Sequence, residues 1–260
     1  MTTTSDILME ASSLEAGERT RIDCLSCGGG GKTLTISRMD DGSIVWNCYR
    51  ASCDERGGSG GGRLVRTRHT PRQQTVKPYR GELYRLEDEQ LEFLAEAIGW
   101  DEWHVMIGRP LWAPEERRYA FPIYGPMGIR RGYVLRSYEP DAFTKALTRM
   151  DEPEAHMSWY RTQPESNELV IVEDIPSAVR AARFVNALAL CGTGCGPDYA
   201  NEIAAHYQNV VWALDADATA LAVKLHREYS LLFRGSRVMP LRCDIKDMSE
   251  SEAAELLGGE

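Results

Sequence analysis

Leu169-Val-Ile-Val-Glu173-Asp-Ile-Pro-Ser-Ala178 is an apolar run that stops on two acids and then turns into a helix-compatible segment. The pattern returns downstream, where Val210-Val-Trp-Ala-Leu214 stops on Asp215-Ala-Asp217 and Val238-Met-Pro-Leu241 precedes Lys246-Asp247. Short apolar runs of this length read as buried strands. Between them the sequence predicts helices over 175–187, 198–206 and 218–232, with a further short strand ending at Ala189 and Leu190 before Gly192-Thr193-Gly194. Repeated strand-helix units imply a parallel sheet and an α/β fold class. Loops leaving the carboxyl ends of parallel strands converge on one edge, so Glu173, Asp215, Asp217 and Asp247 are expected to meet there. Like charges at close quarters raise each other's pKa unless a cation neutralises them, and an all-oxygen ligand set favours Mg²⁺ or Mn²⁺. An acidic turn capping the next helix would give Asp215-Ala-Asp217 the same appearance.

The chain has 260 residues, enough for one large or two modest domains, with 43% apolar and 27% charged residues, as in globular proteins. No apolar run approaches the roughly 20 residues that span a bilayer, and residues 1–10 have neither a basic start nor an apolar signal core. A cytoplasmic location is expected. The formal net charge of −9 excludes a uniformly basic nucleic-acid coat. Its distribution is uneven, because Arg56, Arg63, Arg66, Arg68, Arg72, Lys77 and Arg80 fall in a stretch without one acid. Such a segment can engage phosphate backbones or serve as a solvated linker. Gly57, Gly58, Gly60, Gly61 and Gly62 open that stretch, so a flexible tether and a domain boundary are expected there. Beyond it, a helix over 87–98 ends near Gly99, and strands cover 119–124 and 132–137. Residues 1–20 suggest a short acidic helix with Leu8, Ala11 and Leu14 near one face, and 249–260 a frayed acidic helix or tail.

Cys24-x2-Cys27 and Cys48-x4-Cys53 lie at the two ends of a hairpin, with Leu34, Ile36, Ile44 and Trp46 alternating around the turn Asp40-Asp41-Gly42. Four thiolates suit tetrahedral Zn²⁺, and a domain this small needs such a staple. A closed four-sulfur shell leaves no open position, so the zinc is expected to be structural. Arg38, Trp46, Asn47, Tyr49 and Arg50 offer stacking and hydrogen-bonding groups for single-stranded bases, although Trp46 equally suits the core. Cys191, Cys195 and Cys243 read as buried or incidental thiols. Gly28-Gly-Gly-Gly-Lys-Thr33 looks like the end of a phosphate-binding Walker loop, but Ser26 replaces the first glycine and the segment follows a cysteine pair rather than a strand. It is not read as an ATP site.

Leu169-Val-Ile-Val-Glu173 with the small Ser177 and Ala178, Leu190-Cys-Gly-Thr-Gly194, Leu214-Asp-Ala-Asp217 and Lys246-Asp247 together resemble the TOPRIM fold shared by topoisomerases and primases. Asp174 stands where that family usually has glycine. Upstream, the zinc ribbon, the basic tether, Ile98-Gly-Trp100, Arg117-Arg-Tyr-Ala-Phe-Pro-Ile-Tyr124 and Gly132-Tyr-Val-Leu-Arg-Ser137 resemble DNA primases, most of all phage primases related to the primase half of primase-helicase proteins. The resemblance implies a zinc-ribbon template-binding domain over 1–55, a basic Gly-rich tether over 56–80, the N-terminal part of a mixed α+β RNA polymerase domain over 81–165, and a TOPRIM catalytic subdomain with an acidic tail over 166–260. It implies synthesis of short RNA primers on single-stranded DNA from ribonucleoside triphosphates. Glu173, Asp215 and Asp217 would hold Mg²⁺ or Mn²⁺ with Asp247 assisting, and Arg131, Arg136, Lys145 and Lys246 would neutralise phosphates. Implied partners are a separate replicative helicase and a DNA polymerase, in the host cytoplasm if the chain is phage-encoded, with no membrane. Two other functions share these acids: a TOPRIM nuclease, and a non-enzymatic DNA clamp like the bacterial recombination mediators. In the mediators zinc and TOPRIM elements are adjacent, whereas over one hundred residues separate them here.

Overall fold

The computed structural model describes residues 4–50, 53, 55–59, 77–139, 142, 144–151, 156–192 and 194–258. Most of the expected tether, residues 60–76, lies outside these. The chain divides into two compact units, Met1–Gln73 and Gln74–Glu260.

In the first unit, helix α1 (Thr4–Ala11) accompanies an antiparallel sheet of β1 (Arg19–Cys24), β2 (Gly29–Arg38), β3 (Ile44–Cys48) and β4 (Arg56–Ser59), in that spatial order. The hairpin of β2 and β3 is in the expected place, pairing Leu34 with Cys48 and Ile36 with Trp46. Its turn passes through Gly42 at φ +77°, a conformation that glycine adopts without a Cβ clash. Alternation along the strands puts Leu34, Ile36, Trp46 and Cys48 on one buried face, where they pack with Ile7 and Ala11 of α1. The glycine run that suggested a tether begins as a strand, for a packing reason. A Cβ at Gly57 would come within 2.4 Å of the Trp46 ring, so only glycine lets β4 lie this close to the indole. Lys32-Thr33 continues β2 and opens no helix, as a phosphate-binding loop would require.

The second unit contains two five-stranded sheets. The first is antiparallel, β5 (Tyr84–Arg85), β6 (Leu111–Ala113), β7 (Arg118–Tyr124), β8 (Arg130–Arg136) and β9 (Ala146–Met150) in sequence order, accompanied by α2 (Asp88–Ile98) and α3 (Glu102–Gly108). Helix α2 ends where expected, on Gly99 in the left-handed region. Helix α3, capped by the Asp101 side chain on the His104 amide, has too few residues to show periodicity in sequence.

The second sheet is mixed, with spatial order β10 (Ser158–Tyr160), β12 (Asn186–Ala189), β11 (Glu168–Val172), β13 (Asn209–Trp212) and β14 (Gly235–Val238); all its pairings are parallel except β10 with β12. Helices α4 (Ile175–Ala181), α5 (Pro197–Ala204), α6 (Thr219–Tyr229) and α7 (Glu250–Leu257) complete the unit. Strand β11 lies at its centre. Val170 and Val172 pack with Val179 and Leu257, while Leu169 and Ile171 pack with Ile203 and Leu225, so helices cover both faces. Each such fully buried aliphatic side chain contributes about 1.5–3 kcal/mol of transfer free energy.

Three elements depart from expectation. The helix expected over 175–187 stops at Ala181, because Asn186 enters a buried strand and its side chain bonds the Gln163 backbone amide and carbonyl. The last strand is Gly235–Val238 rather than 238–241; Pro240 has no amide to donate to a ladder. The acidic C-terminus is neither frayed nor a tail: Ser249 forms a capping box with Glu252, Gly258 closes the helix, and Ala253 and Leu257 are buried against the core.

Candidate active site and cysteine cluster

In the first unit, the two cysteine pairs close on one another. Cys24 Sγ lies 3.8 Å from Cys53 Sγ, Cys27 Sγ lies 4.0 Å from Cys48 Sγ, and all four sulfurs are within 4.8 Å of each other. A zinc–sulfur bond of about 2.3 Å places tetrahedral sulfurs about 3.8 Å apart, so the cluster fits Zn²⁺. The Arg50 amide points at Cys48 Sγ, 3.5 Å away, as a donor to a thiolate would. Without a cation, burial pushes the Cys53 thiol up to about 12 and raises Cys48 as well.

Of the expected template-binding residues, the structure takes the core alternative for Trp46, which is 7% exposed and donates from Nε1 to Glu55 Oε1 at 3.0 Å. The opposite parity of the strand presents Val45 and Asn47, followed by exposed Tyr49, over whose ring the Arg21 guanidinium sits at 5.4 Å. Arg38 is engaged within the unit, donating to the Leu14 carbonyl at 2.9 Å, and Arg50 is half-buried.

In the second unit, β11 delivers Glu173 and Asp174, the loop after β13 delivers Asp215 and Asp217, and the loop after β14 delivers Asp244 and Lys246. Asp174 is the N-cap of α4, accepting from the Ser177 amide at 2.9 Å. Its Oδ2 accepts from Arg136 Nη1 at 2.8 Å and faces Lys246 Nζ at 3.2 Å. Burial would raise the Asp174 pKa, but Arg136 and then Lys246 overcome it and hold it down at about 2. An aspartate where glycine was expected is thus the anchor for two cations. Lys246 Nζ also reaches Asp244 Oδ2 at 2.6 Å and Asp215 Oδ2 at 3.5 Å.

Glu173 has the opposite environment. Its Oε1 is buried with no hydrogen-bond partner among the described residues. Burial, then Asp215, Asp217, Asp174 and Asp244, pushes its pKa up to about 8. Asp215 rises to about 7, chiefly by burial, with Lys246 opposing and Asp174 and Asp244 adding to the rise. Five carboxylates therefore share one edge with two cations, Arg136 and Lys246. Among the described residues, only the cysteines bring three or more ligand atoms within 4.8 Å of one another, so the acids are more widely spaced than a closed shell. The donor set and the orphaned Glu173 oxygen both fit a divalent cation.

The other expected residues divide clearly. Glu173, Asp215 and Asp217 interact electrostatically, and Arg136 and Lys246 lie among them. Asp247 is exposed and its field falls on Arg180; Asp244, three residues earlier, occupies the acidic edge instead. Asp244 Oδ1 also accepts from the Ala216 amide at 3.3 Å, tying the last loop to the Asp215 loop. Its sequence signal was an acid in the same loop as Lys246-Asp247, and only the turn geometry selects between the two. Arg131 pairs with Glu202 at 2.9 Å. Five residues of strand, at about 3.4 Å each, set Arg131 roughly 17 Å along β8 from Arg136, at a bulge in its pairing with β7. Lys145 is exposed at the start of β9.

No protein-family model matches this chain, and no curated protein matches it. Among solved structures it is similar to a DnaG catalytic core, with 17% identity and a TM-score of 0.49 over 61% of this chain and 67% of that one. It is also similar to the RNA polymerase domain of Mycobacterium tuberculosis primase DnaG, with 16% identity and a TM-score of 0.46 over 71% and 68% of the two chains. The zinc-binding and RNA polymerase domains of the Aquifex aeolicus primase match over 97% of this chain and 82% of that one, with 14% identity and a TM-score of 0.46. The described residues form a mixed α/β protein with three sheets, a four-cysteine cluster near its N-terminus and an acidic edge on a largely parallel sheet. Its structural neighbours are primases.

Proposed function

We propose that this chain synthesises short RNA primers on single-stranded DNA by metal-dependent nucleotidyl transfer, in a phage-type replication system. The observation that carries the reading is the under-neutralised acidic edge, with the buried, unpartnered Glu173 oxygen beside Asp215. An edge of this kind calls for a dication, and a Cys₄ module on the same chain supports a nucleic-acid partner. Glu173, Asp215 and Asp217 would hold Mg²⁺ or Mn²⁺, which when bound acidifies the primer 3′-hydroxyl and neutralises the triphosphate and its pyrophosphate leaving group.

The chain's own residues have distinct parts in this. Arg136 and Lys246, held against Asp174, supply positive charge at the rim where a triphosphate would lie. Asp244 steadies the Asp215 loop through the Ala216 amide. The Cys₄ unit would present Asn47, Tyr49 and Arg50 to template bases. A separate helicase and DNA polymerase would act with it, in the cytoplasm.

The test is incubation of the full chain with single-stranded DNA of mixed sequence, Mg²⁺ or Mn²⁺ and labelled ribonucleotides, resolved on a denaturing gel. Short, template-dependent RNA is expected, reduced by about two orders of magnitude or more in Asp215→Ala with zinc content unchanged. Cut template would reassign the site to a nuclease. Bound but intact DNA without RNA would favour a clamp or a primase that needs its helicase.

A further inference from the structure

The acidic edge already contains a cation of its own. Lys246 Nζ stands 2.6 Å from Asp244, 3.2 Å from Asp174 and 3.5 Å from Asp215, with the side chain only 12% exposed. Its backbone belongs to a short 3₁₀ turn, Ile245–Asp247, pinned by the fully buried Ile245. Movement at this position is therefore left to the flexible four-carbon stem. Its three partners are not equally dependent on it. Asp174 keeps Arg136 at 2.8 Å and the Ser177 amide, and Asp244 keeps the Ala216 amide. Asp215 makes the longest of the three contacts, and Lys246 is the cation that acts on it most strongly.

We infer that Lys246 is the resident counter-ion of the acidic edge and competes with the divalent cation for Asp215, so that cation binding releases its ammonium from the carboxylates. This rests on the metal-holding part of the proposed function. A dication beside Asp215 and Glu173 repels an ammonium 3.5 Å from the same carboxylate, and the stem gives the ammonium somewhere to go. The freed ammonium becomes available to phosphate oxygens when the cation is in place. Metal binding and phosphate capture are then linked through one side chain.

The experiment is acetylation of the full-length wild-type chain by an N-hydroxysuccinimide ester at about pH 8, where exposed lysines react through their neutral fraction. Labelling is read lysine by lysine by mass spectrometry along a Mn²⁺ titration, and bound Mn²⁺ is counted by electron paramagnetic resonance. Without metal, Lys246 should label at least about tenfold more slowly than the exposed Lys145 and Lys224, since burial favours the neutral amine but Asp174, Asp215 and Asp244 outweigh it and hold the proton. Its labelling should rise in step with Mn²⁺ occupancy while theirs stays flat. If Mn²⁺ binding depends on Asp215 yet Lys246 labelling does not change, the inference fails and the metal site stands. If Asp215→Asn leaves Mn²⁺ binding unchanged, both fail. As a second measurement, Lys246→Met, checked for zinc content and circular dichroism, should bind Mn²⁺ about tenfold more tightly because a competing charge is gone. Equal or weaker binding overturns the competition.

Discussion

Replacing Glu173 by glutamine should stabilise the metal-free protein at high pH and leave it almost unaltered at low pH. The Glu173 carboxyl is pushed from its ordinary 4.5 up to about 8, by burial first and by its acidic neighbours second. The folded chain thus binds a proton that the unfolded chain has released throughout that interval. Stability contributed by this group is complete below about pH 4.5 and is lost progressively as the pH rises toward 8. At about 1.4 kcal/mol for each tenfold in proton affinity, the full interval corresponds to roughly 5 kcal/mol. Solvent reaches part of the side chain, and screening reduces the expected effect to on the order of 2 kcal/mol. Glutamine keeps the shape and never ionises. In a domain of this size, 2 kcal/mol is a melting shift of roughly 4–8 °C. The assay is thermal melting in chelator at about pH 5 and pH 8, followed by tryptophan fluorescence from the buried Trp100 and Trp212. The variant should melt higher at the upper pH and nearly level at the lower. Saturating Mg²⁺ should reverse the order at the upper pH, because the wild-type carboxylate then gains its counter-charge. A variant that melts lower than wild type in chelator at the upper pH, or an equal gap at both pH values, would refute the account of Glu173.

Other outcomes follow from the same geometry. Asp174→Asn leaves Arg136 and Lys246 without their shared carboxylate and should lower the melting temperature by several degrees, on the order of 1–3 kcal/mol, while the helix cap is retained. An unchanged melting curve would mean that these contacts are solvent-screened. Cys24→Ser should reduce bound zinc to well below one ion per chain by elemental analysis, with the Gln74–Glu260 unit still folded by circular dichroism. Trp46→Ala should cost the first unit about 3–5 kcal/mol of stability in urea titrations, since it empties a core position. Tyr49→Ala should instead weaken single-stranded DNA binding and leave zinc content and stability alone, as measured by fluorescence anisotropy and elemental analysis.

Much of this protein could be read from one dimension because the governing signals are local. The Leu169-to-Val172 run, bounded by Glu173 and buried on both faces, announces a central parallel strand, and the cysteine spacings around an alternating hairpin announce a metal-stapled sheet. Helix α2 could be placed from Leu94, Ile98 and Gly99 because period and cap lie within a dozen residues. Where the deciding contact is distant in sequence, the reading lost precision. Gly57 belongs to a strand because of Trp46, and α7 is ordered because Ala253 and Leu257 find a core. Which of Asp244 and Asp247 joins the acidic edge depends on a 3₁₀ turn and on an amide at Ala216, twenty-eight residues away. Sequence alone determined that acids and a lysine would leave the carboxyl ends of parallel strands, since residue order and strand period dictate it. Tertiary structure alone decided that Lys246 sits among the carboxylates, that Asp174 holds it with Arg136, and that, among the described residues, the buried Glu173 Oε1 has no hydrogen-bond partner. Charge balance at a point in space is summed over several loops, and no single stretch of chain contains that sum.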